Sequence, residues 1–327
     1  MTLKALFITG SNQYGVVSHF MQGMQFDLES MNVQIDELDV GSQQSLEKTL
    51  IGLEPLSKYD FIVSFNAVGL DTVVEGESIA NYANKRPTFI FLVDHPLHLL
   101  QRFIGLNVKV LCVDQEHVAF CQLCQIKAVY FPHAISQQFI DNQDKPSYEQ
   151  KQDEVIFPVS FFDMKNAQTK LNPAWHQIST ILDLSPNITR FMQLLGVLPL
   201  GNRPATVQLD ENVQRICIFA DLYIRGRLRN QFLRECGEKN IQLSVVGRGS
   251  QHYQEAFPFH RYSDAIPFEQ LLQRMSAARY VAHNSPGFEN GLHERVIYPL
   301  ALGSLVVCDL PFVKTQFMAA IRTTHNA

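Results

Sequence analysis

The most chemically loaded stretch of the chain is His283-Asn284-Ser285-Pro286-Gly287-Phe288-Glu289-Asn290-Gly291-Leu292-His293-Glu294-Arg295. An apolar run at 280–283 leads in and an amphipathic run leads out, so the stretch reads as strand, glycine-containing loop and helix N-terminus. At such a terminus the backbone N–H groups near Gly291 and Leu292 lack carbonyl partners, and the helix dipole adds positive potential. That combination suits an anion such as a diphosphate. Gly287 and Gly291 let a ligand approach the backbone closely. Arg295 can add a charge-assisted contact to phosphate, and Glu294 can accept hydrogen bonds from sugar or ribose hydroxyls. On spacing alone, Glu294 serves equally well to complement the first turn of the helix.

Other groups sit at strand ends. Asp94-His95 places a carboxylate beside an imidazole, a pair able to deprotonate a hydroxyl. His95-Pro96 reads equally as a turn that ends the strand. His133, after Pro132, stands at the last strand end of the first half and either lines a cleft or closes it. Gly10-Ser11-Asn12-Gln13-Tyr14-Gly15 is a loop between strand and helix. Without a following Lys-Ser/Thr it is not a Walker motif, and without a third glycine it is not a dinucleotide fingerprint. His19, just beyond it, is a candidate base, although a lone helical histidine is more often structural. Arg225 and Arg227 divide evenly between ligand contacts and a solvated helix face, whereas Arg229 and Arg234 read as solvated. No Asp-x-Asp stands at a strand end, which agrees with a site needing no divalent metal. Cys121-x-x-Cys124 lacks a second pair at zinc spacing.

These residues need elements to hold them. Through about residue 135, short β-branched or aromatic runs alternate with amphipathic stretches, the pattern of a parallel sheet with crossover helices. Strands are expected at 4–9, 33–38, 61–65, 88–93, 109–113 and 128–131, and helices near 16–30, 45–53, 73–84 and 115–125. The segment 137–154 is polar and reads as a linker. Asn172-Pro173 and Ser185-Pro186 look like helix starts, and Ile188, Phe191, Met192 and Leu195 fall on one face before Gly196. A second α/β run follows, with strands at 216–220, 242–246, 280–283 and 304–308 and helices at 225–237, 268–279 and 291–302. The expected fold class is therefore α/β, two Rossmann-like lobes with a helical connector. The expected domains are 1–150, an acceptor lobe; 151–210, the connector; and 211–327, the nucleotide-sugar lobe. Ligands in such folds commonly sit at strand C-terminal ends, in the cleft between lobes.

Bulk properties limit the function classes. The 327 residues are 46% hydrophobic and 18% charged, a globular composition long enough for two cores. A net charge of −5 argues against a nucleic-acid binder. No run is long and apolar enough to span a bilayer, and the N-terminus leads straight into a strand rather than a signal peptide. Scattered cysteines in apolar contexts fit a reduced, cytoplasmic protein.

The run G-x-x-N-G-L-H-E-R-V from Gly287 to Val296, followed by Ala301-Leu302-Gly303-Ser304-Leu305-Val306-Val307, resembles the C-terminal signature of GT-B glycosyltransferases of the "glycosyl transferases group 1" type, nearest the CgeB-like subgroup. Residues 216–220 with Arg225, Arg227 and Arg229 are similar to the first strand of that C-terminal lobe and its arginine loop. Ser244 to Gly249 is similar to the next strand and turn, and 91–96 and 131–134 to strand ends of the first lobe. The resemblance implies metal-independent transfer of a sugar from a nucleotide-sugar, UDP-sugar foremost, to a polysaccharide, lipid-linked or protein acceptor, with no cofactor. It implies a donor site of Arg225, Arg227, Gly247, Arg248, Asn284, Gly287, Asn290, Gly291, Leu292, His293, Glu294 and Arg295, and an acceptor side with Gly10, Gly15, His19 and His133. Asp94 and His95 are then the catalytic candidates. Tyr298 departs from the pattern, standing where relatives carry a ribose-gripping glutamate, and Pro299 should kink the helix. The family usually continues through further helices beyond Asp309-Leu310-Pro311, so a short C-terminal lobe is expected. The other readings are a non-catalytic GT-B-like binding module and a nucleotide-sugar epimerase.

Overall fold

Alternating β-branched and aromatic runs become the strands of two parallel sheets, described by a computed structural model that covers residues 2–11, 13–141, 145–200, 207, 209–284 and 287–308. Asn12, Ser285, Pro286 and 309–311, singled out above, lie outside the described residues. The chain divides into two compact units, 1–132 and 133–327.

In the first unit, β1 (Leu3–Thr9), β2 (Val33–Asp39), β3 (Phe61–Phe65), β6 (Thr88–Leu92), β7 (Lys109–Cys112) and β8 (Lys127–Tyr130) form one sheet in the order β2-β1-β3-β6-β7-β8, every neighbouring pair parallel. β1 is buried from Ala5 to Thr9, as a strand covered on both faces must be. Phe65 makes edge contacts with Phe7 and Phe91 at centroid separations of 6.2 and 5.4 Å, a core spine across β1, β3 and β6. Helices α1 (Val16–Ser30), α2 (Gln43–Ile51) and α4 (Gln115–Leu123) follow β1, β2 and β7. The helix expected at 73–84 is a hairpin, β4 (Val73–Val74) with β5 (Glu77–Ser78), and a short helix α3 (Ile79–Tyr82). Glu75 and Gly76 both have positive φ, 50° and 87°, so the Glu-Gly pair makes a tight turn where periodicity suggested helix.

The second sheet has the order β11-β10-β9-β12-β13, from β9 (Gln152–Pro158), β10 (Leu243–Val246), β11 (Arg261–Ser263), β12 (Ala278–His283) and β13 (Leu305–Cys308), again all parallel. Counted from β9 this is 3-2-1-4-5, with the chain reversing direction across the sheet between β9 and β12. A ligand crevice is expected outside the carboxyl ends of those two strands.

Three elements of this unit differ from the sequence reading: no strand was expected at β11, and two larger differences shift how the second sheet is built. The central strand is β9, inside the stretch read as linker and connector. Its polar start, Gln152-Asp153-Glu154, and Pro158 disguise the fully buried Ile156 and Phe157. The run at 216–220 is no strand but part of α9 (Glu211–Glu238), a single 28-residue helix started by Asp210, whose carboxylate accepts from the amides of Asn212 and Val213. Gln214, Cys217, Asp221, Ile224, Arg229 and, further along, Leu233 and Cys236 are among its buried positions. Five apolar residues in a row cannot by themselves distinguish strand from buried helix. α9 packs on α6 (Met164–Leu171), α7 (Trp175–Leu184) and α8 (Ile188–Leu194). The start of α8 is Asn187, whose side chain accepts from Arg190 N–H at 2.7 Å, rather than Ser185. Gly196, at φ 77°, does follow that helix. A short helix α5 (Gln137–Asp141) precedes β9.

Helices α10 (Phe268–Ala277) and α11 (Glu294–Ala301) flank β12, and their C-termini meet at Lys151, which is 4% exposed. Its ammonium donates to the carbonyls of Ser276 and Leu302, the latter at 3.0 Å, and to Ser304 Oγ at 3.2 Å. Ser304 in turn donates to the carbonyls of Met275 and Ala278. A buried cation thus satisfies orphan carbonyls at the negative ends of two helices. Replacement of Lys151 by methionine removes the donors and leaves those acceptors buried. It should lower stability by about 2–4 kcal/mol, read as a fall in denaturation midpoint; an unchanged midpoint would show the knot to be dispensable.

Candidate functional site

The end of β12 delivers His283 and Asn284, both buried, to the carboxyl edge of the second sheet beside the segment that follows β9. The loop from Gly287 to His293 then returns to start α11. His293 is the N-cap, and the amides of Val296 and Ile297 bond to its carbonyl at 2.9 and 3.3 Å. Its Nδ1 lies 3.3 Å from the Arg295 amide and also against the Glu294 carboxylate. One nitrogen cannot accept from the amide and donate to the carboxylate at once. The charged partner is the closer of the two, and we place the proton on Nδ1, facing Glu294.

Glu294 is the centre of the site. It is 8% exposed, and three cationic or titratable groups surround its carboxylate: His293 Nδ1 and His133 Nε2 on Oε2, the latter at 3.8 Å, and Arg295 Nε at 3.4 Å from Oε1. Burial by itself would raise the Glu294 pKa. The charges of His293, Arg295 and His133 outweigh it and hold the carboxyl well below the usual carboxylate range. Above these groups, burial first and then the charges of His293 and Arg295 push His283 well below the usual imidazole value. Its ring lies 4.8 Å from that of His293.

The arginines of α9 sort differently from the sequence reading. Arg225 is held by buried Asp221, Nε to Oδ2 at 2.7 Å, one helical turn back. Its guanidinium fits against Gly287 so closely that a Cβ there would stand 2.5 Å from Nη2. A side chain at position 287 would therefore have to displace the Arg225 guanidinium, whereas the sequence reading kept that space for a ligand. Arg227 turns away and donates to the carbonyls of Asp183, at 2.9 Å, and Ser185, capping the end of α7. Arg229, read as solvated, is 4% exposed and donates to Ser160 O at 2.8 Å, with its guanidinium over Phe162. Burial, joined by repulsion from Arg295 and Arg225, pulls it down to about 9, so it remains a cation at neutral pH. Arg234 is exposed, as expected. The sequence reading already placed 225–237 in a helix, but starting it at Arg225 hid the turn before it, where Asp221 stands one turn back from Arg225 on the face that also carries Arg229.

The remaining positions fall as follows. Gly247 presses on the backbone after β9, where a Cβ would collide with the Val159 carbonyl, and Arg248 is exposed in the same turn. Gly291 is buried, Leu292 half-buried and Asn290 exposed. Tyr298 is buried between Phe139 and Phe268, at ring separations of 5.2 and 5.6 Å, and its hydroxyl is pushed up by burial and by the Glu294 charge. α11 runs without a break through Pro299 and ends in a Schellman closure, Ser304 N–H to Pro299 O and Gly303 N–H to Leu300 O.

In the first unit, Asp94 is exposed and accepts from Asn66 Nδ2 at 3.3 Å. His95 does not share its environment. The imidazole is 3% exposed, accepts the Leu97 amide on Nδ1 and packs on His117 and Phe120. It is the turn former of the two alternatives. A Cβ at Gly10 would meet Val40 and Val68 at ordinary packing distance, Gly15 is the left-handed N-cap of α1, and half-buried His19 lies in that helix. His133 belongs to the second unit, not the first, and packs beside Phe288, His293 and Glu294. Among the described residues, no group of three or more His, Cys, Asp or Glu is arranged to hold a metal ion, and no helix is long and apolar enough to cross a membrane.

No family model and no curated protein matches the chain. Among solved structures it is similar to an alpha-glucosyltransferase in complex with UDP and a 13-mer DNA containing a HMU base, at 11% identity over 94% of this chain and 80% of that one, TM-score 0.49. It is also similar to sucrose-phosphate synthase from Thermosynechococcus elongatus (10%, 94% and 81%, TM-score 0.40) and to E. coli heptosyltransferase WaaC with ADP-2-deoxy-2-fluoro heptose (10%, 93% and 88%, TM-score 0.30). Likeness at that level carries no inference about chemistry. Independently of it, the fold expected from the sequence is observed in kind: two α/β units, each built on a parallel sheet, with helices between them in sequence.

The electrostatics of Glu294 fix a pH dependence. A carboxyl held low in the folded state contributes stability that is present above its unfolded value, about 4.3, and is lost as pH falls further. Denaturation midpoints should therefore drop on the acid side below about pH 4.5, and Glu294→Gln should flatten that slope. A variant with the same acid slope as the parent would contradict the assignment.

Proposed function

We propose that the second unit binds a nucleotide-sugar and that the protein transfers its sugar to a glycan, lipid-linked or protein acceptor. The observation that carries this reading is a surplus of partly or fully buried positive charge at the carboxyl edge of a parallel sheet. Among the described ion pairs, three guanidiniums, Arg225, Arg229 and Arg295, stand with two carboxylates, Asp221 and Glu294, before any imidazole is counted. Desolvated cations are unfavourable unless something negative joins them. The place lies at the direction-reversal of the sheet, next to the start of α11, where a diphosphate would complete the charge balance.

Within this proposal each group has a task. The fork of Arg225, locked by Asp221 and Gly287, and the half-buried Arg295 meet the diphosphate, together with the amides of Gly291, Leu292 and Glu294. Arg229 adds its field from behind. Breaking the bond between the anomeric carbon and the diphosphate oxygen leaves that electron pair on the nucleoside diphosphate, and the arginines stabilise the growing charge without a metal. The acceptor hydroxyl forms the new bond to the anomeric carbon and gives up its proton. On the first unit, exposed Asp94 is the candidate to receive it, and His95 drops out. Glu294 holds sugar hydroxyls. Tyr298, enclosed by two phenyl rings, leaves the ribose to Glu289 or to the backbone.

Calorimetry against UDP, GDP, ADP and CMP should find one nucleotide that binds more weakly as salt rises. Arg225→Met should weaken it at least about tenfold, since hydrogen bonds to charged groups are worth about 1.5–3 kcal/mol. Arg227→Met should leave affinity unchanged while lowering stability by about 1 kcal/mol through the lost helix cap. Lack of any binding at millimolar nucleotide removes the proposal, and binding without turnover on a broad acceptor panel would favour a non-catalytic module.

A further inference from the structure

We propose that His133 is a positioning residue for Glu294, holding its carboxylate in the orientation that receives a hydroxyl of the ligand; the hydroxyl's identity as a sugar's rests on the donor reading above. The side chain of His133 is 1% exposed, yet it comes from neither the donor loop nor α11. It stands three residues after β8, in the stretch that runs on to α5 and β9. Its ring lies nearly parallel to Phe288, 6.3 Å between centroids at 24°, and 6.2 Å from His293. That seat points Nε2 at Glu294 Oε2, 3.8 Å away, the same oxygen that His293 Nδ1 engages. Oε1 is left facing Arg295 Nε at 3.4 Å.

The asymmetry matters chemically. A carboxylate rotating about its last torsion offers its lone pairs in many directions. One whose Oε2 lies between two imidazoles offers Oε1 in a fixed direction. At 3.8 Å His133 is beyond a direct hydrogen bond, so it acts by its charge and by the space it fills. The other groups that bear on the same carboxylate are His293 before α11, Arg295 and Tyr298 on α11, and His283 at the end of β12. All but His133 belong to elements that the donor site already requires. Among the described contacts, the His133 imidazole meets the Glu294 carboxylate from a stretch of chain separate from the loop and helix that carry that carboxylate, and it is seated there by Phe288 and His293.

Two variants separate positioning from packing. His133→Phe keeps a flat ring against Phe288 and removes the nitrogens, while His133→Gln restores an N–H. The probes are UDP and UDP-glucose, measured by calorimetry, and a double-mutant cycle of His133→Phe with Glu294→Gln measured by denaturation. Positioning predicts that His133→Phe weakens UDP-glucose about tenfold more than UDP, that His133→Gln regains part of the loss, and that the cycle is non-additive by a factor of about ten in the unfolding equilibrium. Equal loss for both probes, or no loss for either, overturns the inference, as does an additive cycle. Should the parent protein bind neither probe, the donor reading is what fails, and the cycle alone then decides whether His133 and Glu294 act as a pair.

Discussion

The second unit is organised around one unfavourable fact, that several positive charges are partly or fully withdrawn from water at a sheet edge. Everything near them is arranged to make that tolerable. Asp221 takes Arg225 at 2.7 Å, the Ser160 carbonyl and the Phe162 ring take Arg229, and Glu294 takes the histidines and Arg295. Glu294 thus neutralises part of this charge, and its low pKa is the electrostatic signature of that role. Perturbed ionisation of this kind occurs in structural networks as well as at functional sites. What distinguishes this one is its place, outside the carboxyl ends of β9 and β12 where the strand order turns back.

The glycine positions follow the same logic. Gly287 gives way to a guanidinium and Gly247 to the backbone that leaves β9. Neither is a flexible loop residue in the usual sense. Gly247 lets two backbone segments of the carboxyl edge pack at a distance a side chain would forbid, and Gly287 leaves the Arg225 guanidinium the place it occupies.

Much of this was legible in the chain itself, for reasons that can be named. The strands of the first unit are continuous β-branched or aromatic runs, and their bounds were readable to within a residue or two. The approach to α11 was readable because glycine, histidine and glutamate occur in the order a loop and helix start require. β9 was hidden because its first half is polar and it ends on proline, and α9 because its apolar stretch has no gap to reveal a helical period. With only the second half of α9 read as helix, what its buried face packs on could not be seen, so Arg229 was taken for solvated and Arg227 was left between a ligand contact and a solvated face. His133 and Asp221 were invisible as partners of Glu294 and Arg225, the first because its contact spans more than 150 residues of sequence, the second because nothing in composition marks a buried aspartate.

One consequence of α9 remains. At 28 residues and 1.5 Å per residue it is a rod of about 42 Å. Arg225 and Arg229 sit one turn apart near its middle, while its last turns lie under β10 through Leu233 and Cys236, and His260 bonds to the Leu233 carbonyl. Two cations fixed to a single stiff shaft cannot be repositioned separately. A shift in how the far end seats in the core would swing both guanidiniums together, making the apolar contacts beneath β10 part of what aims them.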